Sequence, residues 1–111
     1  MIARDVEVYE TDEGRRPFLE WLDSLRDART RAKVRVGIDR MSLGNFGRCK
    51  TVGSGVSEMK IDFGPGYRLY FGQIPDRLIL LLCGGDKGSQ QKDIKRAKGY
   101  WKEYRSRHGE K

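Results

Sequence analysis

EMKIDFGPGYRLYFGQIPDRLILLLCGGDK, residues 58–87, decides the fold. Three apolar-rich runs are separated by two turn signals, Gly64-Pro65-Gly66 and Pro75-Asp76, so the stretch reads as an antiparallel meander of three strands. Side chains alternate along a strand, and residues that face each other across an antiparallel ladder share a side of the sheet. With 64–66 as a short hairpin loop, Phe63 faces Tyr67, Asp62 faces Arg68, Ile61 faces Leu69 and Lys60 faces Tyr70. Lys60, Arg68 and Tyr70 then lie on one face, a candidate phosphate site. The bland alternative is a solvated face on which Lys60 and Arg68 pair with Glu58 and Asp62.

The second turn extends the same parity. It places Leu80 and Leu82 beside Phe71 and Leu69, and it adds Ile79, Leu81 and Cys83 to the face of Arg68 and Tyr70. Residues 78–83 are thus apolar on both sides, the signature of a central strand covered on both faces. An element must therefore pack near Lys60 and Arg68 and form the wall of a cleft.

Upstream, RDVEVY at 4–9 alternates like a strand. The period then changes. Pro17 suits a first helical turn, and Phe18, Trp21, Leu22 and Leu25 fall at helical spacing, which makes Trp21 a core residue rather than a base-stacking platform. A second helix is expected from Asp27 or Ala28 to Leu43, presenting Val34, Ile38 and Met41 and stopping at Gly44-Asn45, so that the two helices form a hairpin. A weaker strand at 48–52 precedes a third beginning near Val56. Downstream, 84–88 reads as a flexible exit and Ser89 as the cap of a last helix over 90–107, with Ile94, Ala97, Trp101 and Tyr104 on its packing stripe. The order of elements gives an α+β domain with a largely antiparallel sheet. Gly84-Gly85 with Lys87 lacks the GxxxxGK[ST] pattern of a nucleotide-binding P-loop.

The 111 residues suffice for one domain over 1–111 with one modest core. Charged residues make up 35% and hydrophobic residues 37%, and no apolar run approaches the roughly 18 residues of a membrane span. MIARDVEVYE has neither signal-peptide nor transit-peptide character, so a cytoplasmic address is expected. Cys49 and Cys83 are separated by 33 residues, with His108 as the one further soft ligand, which supports neither a zinc site nor a disulfide framework. No metal and no cofactor are expected. With 23 basic and 16 acidic residues the net charge is +7, which draws polyanions, whether nucleic acid or an acidic protein. Nine Lys or Arg against three Asp or Glu between 87 and 111 concentrate that excess at the C-terminal end.

FLEWLDSL at 18–25, VGSGVSEMKIDFGPGYRLYF at 52–71 and LLLCGGDKGSQQKDIKRA at 80–97, in this order of elements, resemble the RelE/ParE-type toxins of bacterial toxin-antitoxin modules. The likeness is greatest to the phage-like addiction-module killer proteins often labelled HigB. The resemblance covers nearly the whole chain, and GPGYRLYF followed by GGDKGSQ is its most specific part. It implies a RelE-like fold, cleavage of messenger RNA, usually on the ribosome, and neutralisation by a helix-turn-helix antitoxin, with operator DNA engaged only through the antitoxin complex and no membrane partner. The alternatives it leaves open are a ParE-like gyrase inhibitor without nuclease activity and an inactive antitoxin-binding regulator.

By the same resemblance, Arg68 matches the arginine such nucleases place on the scissile phosphate, Lys60 a lysine of the preceding strand, and Lys87 a second, usually arginine, cation. Glu58 stands where relatives have their first strand lysine, and Asp93 approximately where they have a tyrosine; the histidine that some relatives employ has no counterpart but His108. Metal-free RNA cleavage activates the ribose 2′-OH, stabilises the charge added at phosphorus and protonates the 5′-oxygen. Arg68 suits the second task. Lys60 serves as base or fixed charge, Glu58 or Asp93 as the alternative base, Tyr70 as a donor, and Arg48 and Lys50 as RNA-backbone contacts.

Overall fold

The computed structural model describes residues 4–109. The leader reading of residues 1–3, and Glu110 and Lys111 of the basic C-terminal count, lie outside the described residues. The architecture is α+β. Strands β1 (Asp5–Val8), β2 (Cys49–Gly53), β3 (Val56–Ile61), β4 (Tyr67–Ile74) and β5 (Leu78–Asp86) form one sheet in the order β1-β5-β4-β3-β2. The sheet is antiparallel except for β1, which runs parallel to β5. Helices α1 (Pro17–Ser24) and α2 (Ala28–Ser42) cover one face, and α3 (Gln90–Arg107) covers the other.

The local signals explain the boundaries. Pro17 opens α1, and the Asp27 side chain caps α2 by accepting from the Arg29 N–H at 2.8 Å. Phe18, Leu22, Val34 and Met41 bury against Met59, Ile61, Leu69 and Phe71, each worth about 1.5–3 kcal/mol of transfer. The helices rest on the sheet more than on each other, α1 over β5 and α2 over β3. On the opposite face Ala97 and Trp101 of α3 close over Val56, Tyr70, Leu80, Leu82 and Cys83. Trp101 lies flat on the sheet because β4 has Gly72 beneath it: a Cβ there would stand 2.3 Å from the indole.

Two turn lengths differ from expectation, with opposite consequences. The hairpin between β3 and β4 spans 62–66 rather than 64–66, so Ile61 pairs with Tyr67 and Lys60 with Arg68. That is a slip of two residues and leaves parity intact, so Lys60, Arg68 and Tyr70 do share a face. The turn between β4 and β5 has three residues, 75–77, and a one-residue slip exchanges the faces. Ile79 and Leu81 consequently lie with Phe71 under α1 and α2, and Leu80 and Leu82 under α3, the reverse of the sequence reading. A bulge at Leu82 then shifts parity again and returns Cys83 to the side of Tyr70, its ladder partner.

Residues 84–88 are not a flexible exit. Gly84 and Gly85 continue β5, paired with Leu69 and Arg68, and Lys87–Ser89 form a 3-10 turn leading into α3. A reciprocal cap holds that turn: the Asp86 carboxylate accepts from the Ser89 N–H at 3.1 Å, and Ser89 Oγ accepts from the Asp86 N–H at 3.3 Å. Among the described residues no helix is long and apolar enough to cross a membrane.

Candidate functional site

Parity puts Glu58, Lys60, Arg68 and Tyr70 on the α3 side of β3 and β4, and the length of α3 decides their fates. The helix covers the sheet from Val56 to Cys83 but begins only at Gln90, so the hairpin end stays open. There Lys60, Asp62, Phe63, Arg68 and Lys87 line a cleft of about 340 Å³ with the 64–66 turn. Lys60 and Lys87 are exposed at its mouth, whereas Arg68 is 8% exposed at its back.

The buried guanidinium is incompletely partnered. Arg68 Nε lies 3.7 Å from Glu58 Oε1, too long for a hydrogen bond, and neither Nε nor Nη1 has a hydrogen-bond partner among the described residues. Donors left unmade in a buried cation are costly, and an anion in the cleft would stabilise the charge they leave under-compensated. Glu58 is held behind Arg68: Gln90 Nε2 donates to Glu58 Oε2 at 2.9 Å, and Lys50 Nζ stands 3.9 Å from Glu58 Oε1. Glu58 is therefore the partner of Arg68, and the acid beside Lys60 is Asp62, at 3.5 Å.

Tyr70 and Asp93 belong to the interior. Tyr70 is fully buried, and its hydroxyl lies beside the Glu58 carboxylate without a well-aligned hydrogen bond. Burial first, then the neighbouring Glu58 carboxylate and the more distant Asp93, hold the phenol far above its ordinary ionisation range, with Arg68 opposing. Asp93, in the first turn of α3, is 3% exposed, accepts from Ser89 Oγ and stands 3.5 Å from Arg96 Nη1. Glu58, Tyr70 and Asp93 thus share the region behind the cleft without lining it.

The structure brings Lys60, Arg68 and Lys87 together and leaves Arg48 and Lys50 exposed on the neighbouring β2 side. Arg48 is ion-paired to Asp62. Asp62 is the residue the sequence reading passed over, as a mere surface partner. Among the described residues it is the one carboxylate lining the cleft, with a half-exposed side chain. The signal was present in its position two residues after Lys60, but only the longer hairpin loop turns it toward the mouth. His108 lies at the far end of α3, stacked on Tyr104 at 4.1 Å between ring centroids.

No family model matches the chain. A protein of Haemophilus influenzae, described as uncharacterized, is 48% identical over 81 residues, which cover 73% of this chain and 82% of that protein. At that identity and coverage, the chain belongs to one family with the Haemophilus influenzae protein.

Proposed function

We propose that this protein is a RelE-like toxin that cleaves messenger RNA and is held in check by a helix-turn-helix antitoxin. The observation that carries the reading is the Arg68 guanidinium, buried at the back of an open cationic cleft with two nitrogens unpartnered. Such a group is placed to meet a phosphate that has displaced water, where its charge acts most strongly. The resemblance of 52–71 and 80–97 to the RelE/ParE toxins supports RNA as the source of that phosphate.

In this reading Asp62 takes the proton from the ribose 2′-OH, whose oxygen attacks the adjacent phosphorus. The bond to the 5′-oxygen breaks, leaving a 2′,3′-cyclic phosphate and a 5′-hydroxyl. Arg68 stabilises the equatorial oxygens, and the ammonium of Lys60 or Lys87 supplies the proton for the leaving oxygen. Glu58 orients Arg68 from behind. Inducing the protein and mapping new mRNA 5′ ends, alongside DNA supercoiling, tests the proposal. New 5′-hydroxyl ends that vanish in Arg68→Lys support it, and altered supercoiling without cleavage replaces it with a gyrase inhibitor. The engagement of Glu58 by Arg68 and Gln90, of Asp93 by Ser89 and Arg96, and of Asp62 by Arg48 and Lys60 favours that second reading, because each of the three acids near the cleft already holds a partner.

A further inference from the structure

On the α2 side of β3 lies a second cavity, of about 270 Å³, that shares Lys60 and Asp62 with the phosphate cleft. Its floor is apolar, made by Val36 of α2, Cys49, Met59 and Ile61. Val36 is 46% exposed, one of two large hydrophobic side chains left so open among the described residues. Gly37 lets α2 descend onto β3: a Cβ there would stand 2.5 Å from the Met59 methyl. Cys49 behaves as part of this apolar floor, since burial pushes its thiol up to about 11 and keeps it neutral. Lys33, Arg40 and Arg48 stand around the rim. Lys33 and Arg29 also lie over the ring of Phe63, which lines the first cleft, at 5.9 and 5.7 Å from its centroid.

We infer that this groove is a second nucleotide subsite for single-stranded RNA, an inference that rests on the proposed function. A strand whose phosphate lies at Arg68 continues past Lys60 around the hairpin end of β3, lays one nucleobase on Val36, Met59 and Ile61, and sets the following phosphates against Lys33 and Arg40. Two features favour RNA over an acidic peptide. The groove is continuous with the phosphate cleft through a shared lysine, and its cations flank a shallow apolar floor, the pairing of backbone charge with a face for a base that single-stranded nucleic acid requires.

Binding of a fluorescent RNA trinucleotide and a heptanucleotide, measured over a range of salt, tests it. The wild-type protein should hold the heptanucleotide more tightly. Lys33→Ala/Arg40→Ala, both at exposed α2 positions, should lower heptanucleotide affinity about tenfold, reduce its salt slope by about 1.4 at about 0.7 per phosphate contact on single strands, and leave the trinucleotide unchanged. Val36→Asp should also weaken only the longer RNA. A double variant with wild-type heptanucleotide affinity and slope overturns the subsite. So does an oligoglutamate peptide that alone depends on Lys33 and Arg40, which assigns the groove to an acidic protein. Arg68→Lys separates the two readings: if it weakens neither length, the phosphate site fails, and if the wild type binds neither RNA, both fail.

Discussion

Gly85 and Asp93 compete for one volume: a Cβ on Gly85 would stand 1.8 Å from Asp93 Oδ2. The bare backbone of β5 lets the first turn of α3 carry a buried carboxylate down to the sheet beside the paired Arg68 strand. That contact sets where α3 begins, and hence how much of the sheet face stays open as a cleft. Gly85→Ala should lower stability by about 1–3 kcal/mol through overpacking, measured by thermal and urea unfolding. Adding Asp93→Ala should recover part of the loss, since contacting sites couple. An unchanged midpoint in Gly85→Ala would refute the close packing.

Arg68 is a buried strand residue, 8% exposed, so its removal should cost more stability than that of a surface arginine. Arg68→Ala strands Glu58 in the interior and should cost about 3–5 kcal/mol. Arg68→Lys keeps a charge for Glu58 but loses the fork, and should remain folded while mRNA cleavage drops about a hundredfold. Circular dichroism paired with a cleavage assay measures both, and a fully active Arg68→Lys protein would sink the site.

Asp62 and the buried Glu58 make opposite predictions. Asp62→Asn should cut single-turnover cleavage by about a hundredfold or more while leaving the unfolding midpoint in place, because the side chain is half-exposed. Glu58→Gln should act mainly on stability, through its contacts with Arg68 and Gln90. Lys60→Arg preserves the charge but cannot give up a proton, so it should keep most activity where Lys87 is the acid and lose it where Lys60 is. Normal cleavage by Asp62→Asn would return the role of base to another group.

Tyr70 sets an alkaline limit. Its pKa is raised in the folded state from an ordinary 10.0, first by burial and then by Glu58, so the native state holds its proton more tightly than the unfolded chain does. The associated stability is complete below pH 10 or thereabouts and declines as pH rises above it, where the unfolded phenol ionises and the native one does not. Tyr70→Phe should flatten that decline, seen as a weaker dependence of the urea midpoint on pH above about 10. An identical alkaline slope in wild type and Tyr70→Phe would exclude Tyr70 as its source.

The +7 charge bears on the proposed antitoxin. A partner that is acidic where it meets the Lys60–Arg68–Lys87 cleft should associate several-fold more slowly as ionic strength rises past the physiological range. Stopped-flow mixing at low and high salt measures this, and a salt-independent rate would rule out steering.

The element order, the start of α2 at Asp27 or Ala28, the stripe of α3 and the shared face of Lys60, Arg68 and Tyr70 were all legible in the residues. Each follows from a local period or from a parity that survives a two-residue slip. The facing of β5 was not legible, because one extra residue in the 75–77 turn and one at the Leu82 bulge each reverse it, and no side chain nearby announces either. Nor did the strand pattern distinguish Arg68, buried beside Glu58, from Lys60, exposed beside Asp62. Two residues of the same charge on the same face differ only in whether the start of α3 lies over them. The cleft, its one lining carboxylate and the groove under α2 arise where separate elements end, and the distances between those ends are set by packing across the sheet.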